Sequence, residues 1–129
     1  MATTEEVRTT IDSYVSRMSA NDRAGWTALF TEDARQEDPV GSPENVGHEA
    51  IAGFFDGVVA MLGAPTITLT HEPIIIGQEA IVLLQVVAGT GESRVRIPLI
   101  VDHMRFADDA RITQLRAFWD ATSLTPDPQ

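Results

Sequence analysis

The sequence predicts an α+β domain in which helices come first and a mostly antiparallel sheet follows. Apolar residues recur at helical spacing between residues 3 and 62, and β-branched residues dominate the chain from Thr66 onward. A length of 129 residues favours one domain with room for a core and a pocket. We expect this domain to span residues 1–124, followed by a flexible tail at 125–129 that contains Pro126 and Pro128.

Helices are predicted in three segments of the N-terminal half. Thr3 and Glu6 fit a capping box, in which each side chain bonds to the other residue's backbone N–H, so the first helix begins there. The inward stripe of this helix comprises Val7, Ile11, Tyr14, Val15 and Met18. A second helix is predicted over residues 22–30 and a third over residues 49–62, which Gly63 and Pro65 end.

Strands are predicted to form hairpins that leave one face of the sheet uncovered. A short strand over residues 34–37 leads into a turn-rich loop over residues 38–47. Further strands are predicted at 66–75, 80–88, 93–106 and 111–121. Their short connections imply antiparallel pairing. Since residues 80–88 are apolar on both faces, we expect helices to cover one face and a second copy of the chain to cover the other, in a homodimer.

Composition excludes several classes of function. A net charge of −10 removes the basic surface that nucleic-acid binding requires. The apolar runs are short and the N-terminus has no apolar signal core, so we expect a cytoplasmic protein without membrane insertion. The chain has no cysteine and no lysine, which excludes thiolate and lysine Schiff-base chemistry. Its histidines lack the spacing of a metal site, so we expect no metal: His48, His71 and His103.

Asp102 has the most informative surroundings of any polar residue. Alternation along the strand places three apolar side chains on its face: Ile100, Met104 and Phe106. His103 and Arg105 would face the opposite way, and Arg96 would share the face of Asp102 but lie ~20 Å away. Burial without a cation should raise the pKa of Asp102 and favour a neutral acid that donates a hydrogen bond. The alternative is a structural role, in which Asp102 pairs with an arginine or caps a turn.

Tyr14 and Asp38 would complete a proton-transfer site with Asp102. Tyr14, the only tyrosine, either packs in the core with a backbone partner or serves as a second hydrogen-bond donor. Asp38 precedes Pro39 at a strand end, where it either opens a turn or stays ionised at a pocket mouth as a general base. Two acids of opposite protonation state and a phenol suit the enolisation of a ketone. The base removes the α-proton while the two donors stabilise the enolate oxygen.

Five segments resemble the bacterial Δ5-3-ketosteroid isomerases, which belong to the cone-shaped SnoaL-like superfamily. They occur in the same order and at matching spacing: 14–18 (YVSRM), 37–42 (EDPVGS), 47–51 (GHEAI), 101–106 (VDHMRF) and 115–119 (LRAFW). The resemblance implies a curved, cystatin-like sheet wrapped by three helices around a deep apolar pocket, a homodimer, and no cofactor. It implies a small hydrophobic ketone as substrate, a 3-oxo-Δ5-steroid.

The resemblance also implies a role for each site residue. Asp38 would move the C4 proton of the steroid to C6, while Tyr14 and Asp102 bind the dienolate oxygen. The implied substrate contacts are Val40, Phe55, Met104, Phe118 and Trp119. Some members of the family support the oxyanion tyrosine with further tyrosines, where this chain has Phe30 and Phe55, so its tyrosine would lack those hydroxyls.

The same fold leaves other functions open. It hosts dehydratases, epoxide hydrolases, polyketide cyclases and noncatalytic modules that bind hydrophobic ligands. A lyase or hydrolase of this kind would place His103 or Arg105 in the cavity. A binding module would hold its ligand without needing Tyr14 and Asp102.

Overall fold

The computed structural model describes residues 1–128 and has the predicted α+β architecture. Its helices are α1 (Thr4–Ser19), α2 (Arg23–Thr27) and α3 (His48–Leu62). Its strands are β1 (Phe30–Glu37), β2 (Asn45–Val46), β3 (Thr66–Leu69), β4 (Ile74–Ile76), β5 (Glu79–Ala88), β6 (Val95–Phe106), β7 (Ile112–Phe118) and β8 (Thr125–Pro126). None of the described helices is long and apolar enough to cross a membrane.

The strands form one curved, open sheet in the order β2-β1-β7-β6-β5-β3. In addition, β4 pairs with β5 and β8 pairs with β6. The pairing of β1 with β7 is parallel, and the others are antiparallel. Because α1 packs on β3 and β4 while α3 packs on β1 and β2, the helices cover one face of the sheet.

The start of α1 confirms the predicted capping box. The Thr3 hydroxyl oxygen accepts a hydrogen bond from the Glu6 backbone N–H at 3.1 Å, and the Thr3 N–H donates to the Glu6 carboxylate at 2.9 Å. Of the predicted inward stripe, four residues are buried and Val15 is partly buried against the core. The stripe therefore anchors α1 to the sheet.

The second helix is shorter than predicted because the chain after Thr27 joins the sheet. Phe30, predicted to be helical, begins β1 and pairs with Ile112 of β7. Strand pairing and full burial of the Phe30 ring override the local helical pattern. As a result β1 is longer than the predicted strand over residues 34–37.

Two other segments differ from their predicted extent. The predicted strand over residues 66–75 is divided into β3 and β4, and Pro73, which has no N–H to donate to a ladder, lies in the break. The predicted loop over residues 38–47 contains the short strand β2, which pairs with β1. This pairing closes the loop into a hairpin.

A bulge in β6 places Arg96 on the face opposite to the predicted one. Leu84 pairs with Ile100 while Val86 pairs with Ile97, so β6 has one extra residue between these pairs. The extra residue reverses the alternation, and Ile97 rather than Arg96 faces the interior. Arg96 instead contacts Gln85 and Asp127, outside the cavity.

The C-terminal segment, expected to be flexible, makes defined contacts in its described part. Strand β8 pairs with the start of β6, and the Asp127 carboxylate lies 2.8 Å from the Arg94 guanidinium and 3.1 Å from that of Arg96. Gln129, the last residue of the expected tail, lies outside the described residues. The described part of the segment therefore belongs to the sheet.

Candidate active site

Asp38 and Asp102 lie on either side of Ala117 in one row across the sheet. Glu37 pairs with Arg116 in the parallel ladder of β1 and β7, so the next residue, Asp38, lies level with Ala117. Ala117 in turn pairs with Asp102 in the antiparallel ladder of β7 and β6. Two strand spacings of ~4.8 Å therefore separate the backbones of the two acids, roughly 10 Å in all.

Asp102 is a buried acid among apolar side chains. It is 1% exposed, and neither carboxyl oxygen has a hydrogen-bond partner among the described residues. Its cross-strand neighbours, Val82 and Ala117, are apolar and buried. Burial, and then the charge of Asp38, raises the pKa of Asp102 well above its ordinary value. The neutral carboxylic acid is thus the favoured form, and its O–H is available to a ligand.

His103 and Arg105 lie outside the cavity, as alternation predicts. The His103 ring lies 2.7 Å from the Glu79 carboxylate, and the Arg105 guanidinium lies 3.4 Å from the same carboxylate. Neither residue lines the cavity. Neither His103 nor Arg105 can therefore neutralise the Asp102 carboxyl group.

Tyr14 enters the cavity from α1, where aromatic rings hold its own ring in place. The ring centroids of Trp26 and Phe30 lie 5.7 Å and 6.4 Å from that of Tyr14. Burial, and then the charges of Asp102 and Asp38, raises the pKa of Tyr14 well above its ordinary value, so the phenol keeps its proton. Phe30 has no hydroxyl to support that of Tyr14, and Phe55 packs against Trp26 at 5.3 Å.

The loop that begins with Asp38 is fixed to β7 by its neighbours. The Val40 N–H donates to the Ala117 carbonyl at 2.8 Å. The Glu37 carboxylate accepts from the Gly41 N–H at 2.8 Å and from Arg116 Nε at 3.0 Å. Gly41 has a φ of +100°, a conformation that residues with a Cβ rarely adopt, so glycine is required at this bend. These bonds set the direction of the Asp38 side chain.

Trp119 holds the Asp38 carboxylate from the other side. The indole Nε1–H donates to Asp38 Oδ1 at 2.7 Å. Asp38 is half-buried. It lines the cavity, and the protein separates it from bulk water. Burial raises the pKa of Asp38 to about 6, and the hydrogen bond from Trp119 limits that rise. Asp38 is therefore ionised at pH 7 but only weakly solvated, which suits a general base.

The cavity between the helices and the sheet has a volume of about 540 Å³ and a mostly apolar wall. Tyr14, Asp38, Asp102 and Trp119 all line it. Residues of α3 form much of the wall: Ala50, Gly53, Phe54, Gly57, Val58, Met61 and Leu62. A Cβ on Gly53 or Gly57 would meet no atom within 4 Å, so both glycines leave room for a ligand.

Of the five expected substrate contacts, only Trp119 lines the cavity within residues 1–128. Phe55 and Met104 are fully packed in the core. Phe118 faces the opposite side of the sheet, 45% exposed, with the Arg116 guanidinium 5.3 Å from its ring centroid. Val40 contributes its backbone to the loop, and its side chain is not part of the wall.

Phe54 and Asn45 line the cavity, although the sequence did not indicate them as wall residues. Phe54 shares a helical face with the cavity glycines, whereas Phe55 does not, so helical phase could have separated the two. Asn45 lies in a segment that the sequence indicated only as a loop, and its place in the wall follows from the pairing of β2 with β1.

The side chains of the described residues do not assemble a metal site. Among residues 1–128, no group of three or more His, Asp or Glu side chains is placed to hold an ion. The acids of the cavity are instead arranged as a half-buried carboxylate and a buried acid on either side of Ala117. Such a pair can take a proton and stabilise a developing negative charge on oxygen.

Comparison with known proteins gives matches over most of the chain. The family model of the SnoaL-like domain matches residues 11–115. A Steroid Delta-isomerase from Nocardioides simplex is 31% identical over 114 residues, which cover 88% of this chain and 89% of that protein. Residues 11–115, which the family model matches, include Tyr14, Asp38 and Asp102.

Solved structures share the fold at lower identity. RV0760c from Mycobacterium tuberculosis has a TM-score of 0.83 at 25% identity, covering 97% of this chain and 98% of that chain. SalBIII is an epoxide hydrolase/cyclase-like enzyme with a role in pyran ring formation in polyether salinomycin. Its structure has a TM-score of 0.85 at 24% identity, covering 98% of this chain and 100% of that chain. A computationally designed 17-OHP binder has a TM-score of 0.80 at 24% identity, covering 96% and 98%.

Proposed function

The chain belongs to the SnoaL-like domain family, and we propose that it is a steroid Δ5–Δ4 isomerase. The observation that carries the proposal is the contrast between the two acids beside Ala117. Asp38 has a pKa of about 6 and a hydrogen bond from Trp119, whereas Asp102 is buried, has a raised pKa and has no hydrogen-bond partner among residues 1–128. One acid is suited to remove a proton and the other to donate a hydrogen bond.

In the proposed reaction Asp38 carries the proton between two carbons. Its carboxylate takes a proton from C4 of a 3-oxo-Δ5-steroid, the C4–H electrons form the C3–C4 double bond, and the carbonyl electrons move to the oxygen. The resulting dienolate then takes the proton back at C6, and the double bond moves to C4–C5. The transfer needs no cofactor, because the same carboxyl group removes and returns the proton.

Tyr14 and Asp102 would stabilise the dienolate oxygen. Both lie in the cavity wall, and both hold their protons because burial raises their pKa values. The Asp102 carboxyl group has no hydrogen-bond partner among residues 1–128, so its O–H can donate to a ligand oxygen. Removing one such donor typically costs about 2.7–4 kcal/mol of transition-state stabilisation.

The substrate class rests on the cavity wall and on the related isomerase. A neutral, rigid apolar molecule fits a mostly apolar cavity of about 540 Å³ in a protein with a net charge of −10. The relative from Nocardioides simplex is a Steroid Delta-isomerase by name. A small hydrophobic ketone of the steroid class meets both conditions.

We also propose that the protein acts as a homodimer through the outer face of the sheet. Leu83, Val101 and Phe118 form an apolar row there, because Val101 pairs with Leu83 on one side and with Phe118 on the other. Leu99 lies on the same strand and is 47% exposed. An apolar surface of this kind is typical of a face that a second subunit covers.

The test of the isomerase proposal is an assay with 5-androstene-3,17-dione. Formation of the conjugated enone is followed by ultraviolet absorbance in the wild type, in Asp38→Asn and in Asp33→Asn. We expect Asp38→Asn to lower kcat by roughly 10²–10⁴-fold, the usual contribution of a general base. Asp33 is exposed on β1, five residues before Asp38, so its variant should keep wild-type activity. Wild-type turnover no faster than that of Asp38→Asn would refute the proposal.

A further inference from the structure

A pair of amide side chains interrupts the apolar wall beside the proposed base. Gln36 of β1 and Asn45 of β2 are Cα partners, so their side chains lie on the same face of the hairpin. Gln36 precedes Asp38 by two residues and therefore shares its face. Asn45 lines the cavity with Asp38 and Pro39, while Gln36 is fully buried behind it.

The hydrogen bonds of this pair are incomplete. Asn45 Nδ2 donates to Gln36 Oε1 at 3.0 Å, but Gln36 Nε2 is buried with no partner among the described residues. A buried amide that lacks a partner typically costs about 1–3 kcal/mol. A hydrophobic residue at position 36 would avoid that cost, so a purely structural role does not account for glutamine here.

The bond from Asn45 to Gln36 fixes the direction of the Asn45 amide. It uses one hydrogen of Nδ2, and the other hydrogen and Oδ1 remain for a group in the cavity. A hydroxyl group can bind both atoms, and a carbonyl oxygen can accept the remaining hydrogen. An anion is disfavoured because the Asp38 carboxylate lines the same wall and no arginine does.

We infer that Asn45, oriented by Gln36, is a binding subsite for a second neutral oxygen of the substrate, a hydroxyl or carbonyl remote from the ketone that is enolised. This inference rests on the proposed function. β2 and β6 lie three strand spacings apart in the sheet order, or ~14 Å at ~4.8 Å for each spacing. A rigid ligand whose ketone binds Tyr14 and Asp102 would thus carry its second oxygen toward the opposite end of a fused-ring skeleton.

The test compares ligands with and without the remote oxygen. The substrates are 5-androstene-3,17-dione and its 17-deoxy analogue, 5-androsten-3-one, and the variants are Asn45→Leu and Gln36→Met. For Asn45→Leu we expect the ratio of KM for the dione to KM for the deoxy analogue to rise about three- to ten-fold, the range of one neutral hydrogen bond. An unchanged KM ratio between the two substrates would overturn the inference.

Gln36 is a positioning residue in this inference, and Gln36→Met separates that role from a structural one. Methionine removes the unpartnered amide, so thermal stability should rise or stay equal while the KM ratio moves in the same direction as in Asn45→Leu. Lower stability with an unchanged ratio would mean that Gln36 only supports the fold, and it would contradict the inference.

A binding experiment keeps the inference independent of catalysis. Fluorescence titration gives the Kd of equilenin and of 17-deoxyequilenin, two phenolic steroids that differ only at the remote oxygen. We expect the ratio of the two Kd values to change about three- to ten-fold between wild type and Asn45→Leu. If the wild type does not isomerise the dione but the Kd ratio differs between the two proteins, the proposed function alone is refuted. If the wild type isomerises the dione but the Kd ratio is equal in both proteins, the subsite alone is refuted.

Discussion

Asp38 and Asp102 are the same residue type, and their surroundings give them opposite protonation states. The carboxylate of Asp38 faces the cavity and receives the Trp119 N–H at 2.7 Å, which favours its charged form. Asp102 lies among apolar side chains and receives no hydrogen bond from the described residues, so the charged form is disfavoured. Environment rather than identity thus assigns the base and the acid.

Replacing Trp119 by phenylalanine should move the pH profile to higher pH. The active form of Asp38 is the carboxylate, so kcat/KM of the wild type should fall as pH drops through about 6. A hydrogen bond to a charged acceptor contributes roughly 1.5–3 kcal/mol, so its loss outweighs the extra hydration that the smaller ring admits and raises the pKa of Asp38 further. The measurement is kcat/KM against pH; a midpoint that stays or moves to lower pH would contradict the role assigned to Trp119.

Asp38→Asn should be more stable than the wild type, in a pH-dependent way. The pKa of Asp38 is about 6 in the folded protein and ~3.9 in the unfolded chain, so the folded state holds the proton more tightly. The stabilisation by that proton is complete below pH ~4 and is lost as pH rises through about 6. The variant should therefore exceed the wild type by up to about 3 kcal/mol above pH 6, and the two should converge near pH 4.

Urea unfolding at several pH values measures this difference in free energy. Asp33→Asn is the control, because Asp33 is exposed on β1 and its replacement should not change the pH dependence. A constant difference between Asp38→Asn and the wild type from pH 4 to 8 would show that the Asp38 pKa is not raised.

At the scale of single elements, α3 has two apolar faces with different roles. One face packs Ile51 and Phe55 into the core, and the other presents Phe54 with Gly53 and Gly57 to the cavity. Glycine within a helix typically costs about 0.5–1 kcal/mol relative to alanine, and here both glycines enlarge the cavity. The helix thus combines a stabilising face with a face shaped for a ligand.

Truncating the two neighbouring phenylalanines of α3 should separate stability from binding. Phe55 is 2% exposed, so Phe55→Ala should cost about 3–5 kcal/mol of unfolding free energy. Phe54 is partly buried at the cavity wall, so Phe54→Ala should cost less stability but weaken the binding of equilenin. Urea unfolding and fluorescence titration measure the two effects; a larger stability loss for Phe54→Ala than for Phe55→Ala would contradict this division of the helix.

On the scale of the whole molecule, the sheet has one face toward the cavity and one toward solvent. The row of Leu83, Val101 and Phe118 lies on the second face, behind the row that holds Asp102 and Ala117. A proposed second subunit on this face would cover the apolar row without entering the cavity. Assembly would then support the sheet that spaces the two acids.

Val101→Arg should convert the proposed dimer to a monomer. An arginine in the middle of an apolar interface leaves a buried charge without a partner, which is strongly unfavourable. Ser16→Arg is the control, since it adds the same charge on the exposed side of α1. Sedimentation equilibrium measures the mass of each protein; a dimeric Val101→Arg or a monomeric wild type would each count against the proposed interface.

Local sequence patterns were enough to predict the fold class, the capped first helix and the face of β6 on which Asp102 lies. Helical and strand periodicities are local, so residues such as Tyr14 and His103 could be assigned to the correct side of their elements before any contact was known. The polar residues that could carry chemistry were few, because cysteine and lysine are absent. Periodicity gave the face of the element on which Tyr14, Asp102 and His103 lie.

Which side chains surround those residues depends on contacts between distant segments of the chain. The bulge in β6 turned Arg96 away, and the parallel pairing of β1 with β7 brought Asp38 level with Ala117. Phe55 and Met104, assigned to the ligand by resemblance, proved to be core residues, while Asn45 joined the wall through a strand pairing. The register and the order of the strands are set by pairing between distant segments, and local periodicity carries no information about either.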